Sequence, residues 1–572
     1  KYSTYMLQGL PIDGFVDPMS MESMAFQRIE VQRGPASVLY PNYLSQDFAG
    51  NQCPLAGTIN LIPKENISAP RSMFSLNYGS YQTINGQLYH EQKFGKTKAF
   101  AGCSYEKSNY TNYGSTGSWL NMQKNPEYQK GKIILGVSAS VDQAEKHKIS
   151  LFGNYTFHQG DVGQINREYN NNYGLINVSY SGELSKPVSI SFKAGLRTYD
   201  RSWQEDHFSS NNDPSLRETD GVKQTIIPLD LSLSYSHLKK GKLMVGADHQ
   251  QSNYRTTSQL VNQEKITGND ASASQTGLYF QEELSFGKLI VRGGGRYNFI
   301  AYDIKKFSGS TPGLSHRSWN VFLWSAGIKY HLTEEWSVFT NAGSSFMSPG
   351  LKSMGGTLSE NDRLVSGKNG QLPNPNLNPE KGIGFDLGIE GKLLQSIDLS
   401  LRAFSNQIKN AIIDNVVSQN PSQTMSVNTD GKTDVKGFEI GASQPIGNHF
   451  EWFANITFSD SKINDPTNPD QDGAEVPFVP RVMGNAGFSL SLPLSIEITP
   501  MAHWGGKIYD SSSKASRTAF SSKELINVKV VKNFSAKNKS NFSLFADIYN
   551  LTNNRFEMPW QFRDPGLSFM LG

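Results

Sequence analysis

From about Arg71 to the end, the sequence repeats one unit: roughly ten residues of alternating apolar and polar character, a connection, then ten more. In 149–157, Ile149, Leu151, Tyr155 and Phe157 fall on one face, and Ser150, Asn154 and Thr156 on the other. Ile397, Leu399, Leu401 and Ala403 alternate with Asp398, Ser400 and Arg402 in the same way. A period of two places successive side chains on opposite sides of a strand, so each unit predicts a strand with one apolar face. The connections alternate as well. Tight polar turns at 95–98, 142–147, 183–186, 238–241, 332–335, 392–396 and 445–449 are separated by longer segments rich in Asn, Ser, Gly and aromatics. These longer segments run at about 108–130, 158–172, 200–222, 252–274, 303–318, 347–380, 409–432, 460–479, 506–522 and 551–566. A soluble sandwich has no reason to keep its long loops at one end, whereas an outer-membrane barrel has short periplasmic turns and long external loops. The pattern predicts an all-β chain, a transmembrane antiparallel β-barrel of about 22 strands.

Composition agrees. No run approaches the ~18–20 apolar residues of a membrane helix, and the mean hydropathy of −0.47 excludes a helical membrane protein. Lys and Arg number 54 against 51 Asp and Glu, which argues against a dedicated nucleic-acid binder. Two cysteines, Cys53 and Cys103, form no disulfide framework; pairing and two unrelated thiols both remain open. Lys1 opens no signal-peptide pattern, so the sequence reads as mature or a fragment. Twenty-two strands close into a cylinder roughly 40 Å across, too wide for side chains to fill. Something must plug it, and residues 1–70, which lack the barrel rhythm, are the candidate; residues 71–572 are the barrel.

Within 1–70 lies Arg28-Ile-Glu-Val-Gln-Arg-Gly-Pro-Ala-Ser-Val-Leu-Tyr40, followed by Ala56-Gly-Thr-Ile-Asn-Leu-Ile-Pro-Lys64. This resembles the plug signature of TonB-dependent outer-membrane receptors, most like the ferric-siderophore branch. The barrel segments Ser345-Phe-Met-Ser-Pro349, Asn374-Pro-Asn-Leu-Asn-Pro-Glu380 and Asp547-Ile-Tyr-Asn-Leu-Thr-Asn553 are similar to that branch too. The resemblance implies that Arg33, Gly34, Pro35, Ser37, Tyr40, Gly57 and Asn60 form the plug motif. The Gly34-Pro35 pair turns the chain, and Arg33 is suited to hold wall carboxylates in a bidentate fork. The sequence departs from the family where Pro41 follows Tyr40, where 42–55 intervene, and where Ala56 replaces a glycine. It also lacks the first half of a plug, including the segment TonB grips, and stops before the usual terminal aromatic. This implies a sequence trimmed at both ends or a natural, reduced plug.

Ligand chemistry is expected in the long loops: Tyr110, Tyr113, Trp119 and Tyr128, then Trp203 and His207, then Tyr254. Aromatics suit flat chelated cargo, although packing between loops explains any single one as well. The family's haem receptors carry a His between the Phe-x-x-Pro and Asn-Pro-x-Leu motifs; there is none between Pro349 and Asn374. Asn468, Asp470 and Asp472 have the oxygen spacing of a calcium loop, with Gly473 following, but Val479 stands where the closing Glu belongs. Calcium is the one cofactor this suggests; a solvated acidic loop is the plainer reading. The Gly293–Gly295 run sits inside a strand and reads as a packing feature rather than a phosphate cradle. No nucleophile–base motif appears, so no enzyme activity is expected.

The expected function is TonB-dependent uptake of a scarce chelate, a ferric siderophore first, across the bacterial outer membrane. The partners are TonB, through a segment missing from this sequence, outer-membrane lipid and the ferric chelate. The alternative is a transport-inactive barrel of the same family, a structural subunit bound to other outer-membrane proteins. Segments 108–130 and 200–222 should lie outside the cell, and 142–147 in the periplasm.

Overall fold

The alternation becomes, in a computed structural model, one closed barrel of 22 strands. The structure describes every residue except 1, 36, 46–49, 110–113, 123–125, 164–166, 207–216, 238–239 and 536–540. Barrel neighbours pair antiparallel in chain order from Arg71–Gly79 onward, and Ser568–Leu571 closes the ring by pairing Met570 with Gly79. Closure leaves no sheet edge to be satisfied in a membrane, where unpaired backbone groups are costly. The two faces separate as the period demands. Leu278, Phe280, Tyr297, Phe299 and Phe322 point outward and are exposed, whereas Gln275, Arg296 and Asn298 point inward and are buried.

Short connections do gather at one end, for example between Phe94 and Thr97 and between Phe286 and Leu289. The other end carries the long ones, with exceptions such as Ser80–Gln82 and 261–265. The predicted loop around 252–274 is corrected. Strands Arg217–His237, Gly241–Leu260 and Ile266–Phe286 run 20 or 21 residues each and shrink that connection to 261–265. Crossing the bilayer takes only ~9–11 residues of strand. Past that height the outward face no longer meets lipid, so the apolar outer face vanishes while the hydrogen-bond ladder continues. Trp203, on Val188–Asp206, and Tyr254, on Gly241–Leu260, are therefore strand residues rather than loop residues.

Near the N-terminus a separate four-stranded sheet orders Leu10–Ile12, Ser3–Leu7, Gly57–Pro63 and Phe26–Arg33 side by side. Ser3–Leu7 runs parallel to Gly57–Pro63, and the other pairs are antiparallel. This sheet lies within the barrel, because it touches inward side chains from opposite parts of the wall. Asn177 Nδ2 donates to Leu7 O at 2.9 Å, Thr156 Oγ1 to Ser20 O at 2.8 Å, and Tyr2 OH to Glu380 Oε2 at 2.8 Å. Leu7, Ile12 and Leu61 bury against Phe100, Ile134 and Phe152 of the wall. Cys53 is buried, Cys103 exposed, and both are free thiols.

Candidate functional site: the lumen contact and the chamber above it

The chain leaves strand Phe26–Arg33 through Gly34, whose φ of +80° suits glycine. A Cβ there would meet Asp386 Oδ2 at 2.7 Å and Arg402 Nη2 at 3.0 Å, so the turn is pressed onto a wall ion pair. Gly34 N–H donates to Ala56 O at 3.0 Å, tying the turn to the next strand. Gly57, at φ +149°, leaves room for Gln32 O, 2.5 Å from where its Cβ would stand. Pro35 meets the wall where Gly343 and Gly384 have no side chain, each 3.3 Å from its Cβ by the same construction. Ser37 Oγ donates to Gln281 Oε1 of the wall, and Tyr40 N–H to Ser37 O at 3.1 Å. Tyr40 is half-buried beside a lumen cavity of 670 Å³. Asn60 Nδ2 donates to Glu30 Oε2 at 3.1 Å, and its Oδ1 accepts Gly9 N–H at 2.9 Å.

Arg33 is not the expected fork. It makes one contact, Nη1 to Glu439 Oε2 at 3.5 Å, and its side chain is 57% exposed. The fork belongs to Arg402 on the wall, whose Nε reaches Asp386 Oδ2 at 2.9 Å and whose Nη1 reaches Glu439 Oε2 at 3.1 Å. Arg402 already holds both carboxylates, which leaves Arg33 the remainder.

The segment 42–55, a departure from the family pattern, makes many of the wall contacts. Asn42 Nδ2 donates to Phe346 O at 2.7 Å, and Gln250 Nε2 donates to Asn42 O at 2.6 Å. Asn51 Nδ2 donates to Ser348 O at 2.7 Å. Tyr43 OH and Tyr199 OH share a hydrogen bond of 2.8 Å, and Tyr199 OH donates on to Asp17 Oδ2 at 2.8 Å. Burial, then the charge of Asp13, push the Asp17 carboxyl up to about 7. Burial likewise pushes the Cys53 thiol up to about 11, which makes it unreactive. Sequence reasoning missed this network, whose partners lie on strands far along the chain.

At the long-loop end the wall carries two aromatic groups. Trp203 and Tyr254 are brought together in a core with Tyr302, Trp319, Phe307 and Phe346, beneath the short helix Leu351–Gly355. Tyr254 is only 3% exposed, so its ring is a packing element here. A recess of 370 Å³ lies nearby, with Tyr128, Tyr169 and Trp203 among carboxylates of Glu127, Asp161 and Glu168. His158 sits edge-on to both tyrosines, 5.5 and 5.0 Å between ring centres. Trp119 lies on the 3₁₀ turn Trp119–Asn121, while Tyr110, Tyr113 and His207 lie outside the described residues. Tyr128, legible in the sequence as an aromatic near the end of 108–130, marks this recess.

The proposed calcium carboxylates hold the loop itself. Asp470 Oδ1 accepts Ala515 N–H at 2.9 Å, and Asp472 Oδ1 accepts Asp465 N–H at 2.9 Å. Hydrogen bonds from Ser513, then Ala515, lower the Asp470 carboxyl below its usual range. Asn468 N–H donates to Asp465 O at 2.9 Å. Among the described residues no group of three His, Cys, Asp or Glu is arranged to hold a metal.

Comparison with known proteins now has a geometry to meet. The family model for the TonB dependent receptor-like β-barrel matches residues 136–551. A vitamin B12 transporter, BtuB of Vibrio vulnificus, is 23% identical over 425 residues, 72% of this chain, and the match spans only 59% of that protein. Among solved structures, the siderophore receptor PiuA of Acinetobacter baumannii superposes with a TM-score of 0.76 at 15% identity, covering 99% of this chain and 88% of its own. The copper transporter OprC superposes at 0.80 and 12% identity, over 100% and 92%. Those structures speak for the fold; the family match covers most of the sequence. The chain belongs to the TonB dependent receptor-like β-barrel family and is a protein of the bacterial outer membrane.

Proposed function

We propose that the protein actively takes up a scarce chelate, a ferric siderophore before cobalamin, driven by TonB through the N-terminal sheet. One observation carries the reading: the sheet and the segments joining its strands meet the wall through many hydrogen bonds and ion pairs, with apolar contact confined to patches. Such contacts break and reform with water as intermediary. A continuous apolar seal would resist the sheet's displacement at every step. An outer membrane has no ATP, so cargo must be captured tightly outside and released by force on the sheet. The aromatic recess around Tyr128, Tyr169 and Trp203 gives ring-bearing cargo a surface at the outer end. The printed names of similar proteins, a vitamin B12 transporter, a siderophore receptor and a copper transporter, support a cargo among metals and metal chelates. The family is one of receptors and transporters, not enzymes.

The test is growth of a deletion strain under iron limitation, supplied with one ferric chelate at a time and, separately, with cobalamin. Loss of growth on one cargo, restored by the wild-type gene, is the expected result. Normal growth on every cargo, with other outer-membrane proteins co-purifying in fixed ratio, would favour the structural-subunit reading.

A further inference from the structure

Around the outer face of the barrel, at its long-loop end, charges on neighbouring strands are matched. Lys107 meets Glu127 at 3.0 Å, Lys223 meets Asp200 at 2.8 Å, Arg255 meets Asp270 at 2.7 Å, and His316 meets Asp303 at 2.8 Å. One arc breaks this rule. Lys381, Lys409 and Lys432 stand directly opposite one another on three consecutive strands of the ring. All three are exposed. They share the outward register, since Gly382, Ile408 and Thr433 beside them are the buried, inward residues. Beyond the row, Lys436 and Lys462, also exposed, stand opposite Asp460 and Asp434.

The aspartates within reach do not answer this charge. Asp434 accepts from Gln407 Nε2 and Asn464 Nδ2, both at 2.8 Å, and Asp460 contacts Lys462 at 3.7 Å. Among the described residues Lys381, Lys409, Lys432 and Lys436 have no ion pair. Like charges directly opposite in a sheet, with Cβ atoms ~5 Å apart, are destabilising unless an anion lies between them. Toward the membrane from the lysines the same face turns apolar: Ile383, Phe385 and Leu387 are exposed, and Phe438 stacks on Phe458 at 4.6 Å. Cations above an aromatic and aliphatic band are arranged as a lipid is, phosphate above chain.

We propose that this arc is a binding site for a phosphorylated glycolipid of the outer leaflet, of the lipid A type. Its phosphates bridge the lysine row and its acyl chains lie on the band below. The row spans two inter-strand gaps, about 10 Å, a reach that suits two phosphates on one sugar backbone better than a single phosphodiester. The long-loop end faces the outer leaflet, which is where such a lipid is found. The site is independent of the lumen and of the cargo reading above.

The test uses the full chain in detergent, titrated with bisphosphorylated lipid A or with phosphatidylglycerol and read by native mass spectrometry. Each lysine near a headgroup contributes about five-fold in affinity. K409Q should therefore bind lipid A about five-fold more weakly than wild type, and K381Q/K409Q/K432Q about a hundred-fold more weakly. K223Q, at a matched position, should bind as wild type does, and K432R should retain binding. Heat-modifiable gel migration reports whether each variant is folded; if the triple variant is not, K409Q alone decides. Equal lipid A binding by wild type and K409Q, or no binding by wild type, overturns the site. Phosphatidylglycerol bound as tightly as lipid A overturns the glycolipid assignment.

Discussion

Two arcs of the lumen wall meet the N-terminal sheet very differently. Between residues 97 and 306, inward side chains such as Phe152, Arg197 and Asn298 are wholly covered. On strands Val482–Leu492 and Ile496–Gly505, the inward Met483 and Met501 are 42% and 48% exposed. On the side of the second arc lies the Gly34 turn, flanked by a cavity of 640 Å³ lined by Arg33, Arg292, Lys329, Glu390 and Arg402. Ile29 and Val31 of the sheet are exposed on that side, although an apolar residue in a packed sheet is normally covered. The N-terminal residues therefore cover more of the 97–306 arc, the gripped side, than of the 482–505 arc, the loose side, although the 670 Å³ cavity beside Tyr40 also opens against the first. Movement of the sheet would cost least where it begins at the loose side and peels toward the gripped one.

The largest difference should appear between two carboxylates. Asp248 meets Arg296 through two hydrogen bonds of 2.6 Å, both side chains almost wholly buried, in the gripped arc. Asp248→Asn leaves a buried guanidinium uncompensated and should cost about 3–5 kcal/mol. Glu439→Gln on the loose side should cost about 1 kcal/mol or less, because Arg402 keeps Asp386. The midpoint of heat-modifiable migration measures both. Equal shifts would break the comparison.

A pair of neighbouring glycines sharpens it. Gly294 faces the lumen, and a Cβ there would stand 2.7 Å from Val38 Cγ2 and 2.6 Å from Phe280 O. Gly293 faces outward with nothing within 4 Å. Gly294→Leu should push the 37–40 turn off the wall at a cost of about 1–3 kcal/mol, and Gly293→Leu should be nearly silent. Limited proteolysis within 34–45 reads the difference, and similar cutting of both variants would contradict the close approach.

The next effect is a pH dependence confined to the gripped side. Asp17, on the short helix Val16–Ser20 between the sheet strands, is pushed by burial up to about 7 when docked, against about 4 for a free carboxyl. The docked state thus holds a proton that the undocked state releases. Its contribution is fully present below about pH 4 and is lost as pH rises from there through 7, by up to about tenfold per pH unit, with little further change above 7. Amide exchange in residues 10–25 should therefore quicken from pH 5 to 7 beyond the intrinsic rate, and Asp17→Asn should remove the excess. An excess that survives in Asp17→Asn would assign it to another group.

The sequence carried the barrel well and the grip poorly. Period-two alternation works where one face meets lipid, as in 149–157 and 542–548, because the bilayer enforces it. It fails at Asn253 to Ala273, where the outward face meets water rather than lipid and needs no apolar residue, while inward Tyr254, Ala271 and Ala273 are buried in the core. The Gly34 turn was legible because left-handed backbone demands a glycine. The Asp17–Tyr199–Tyr43 network was not, since its members are 182 and 156 residues apart and no local pattern joins them. Arg33 was misread for a related reason. An arginine beside a turn signals a carboxylate partner but not the second arginine, Arg402, already holding it.

The smallest effect is therefore expected at Arg33, the most recognisable residue of the motif. Its single 3.5 Å contact and 57% exposure place it among surface pairs worth about 0–1 kcal/mol. Arg33→Ala should leave the barrel's thermal midpoint within about a degree or two, since a 1 kcal/mol change shifts even a 150–250-residue domain by only ~2–4 °C. The contact also forms on the loose side, where the wall is less covered, so planar-bilayer conductance should rise little. Arg402→Ala is the sharper probe, because it strips the partner from Asp386, a buried carboxylate, and from Glu439 together. A large conductance increase in Arg33→Ala with none in Arg402→Ala would show that the sheet's own arginine is the tether. In that case the loose side is the gripped one.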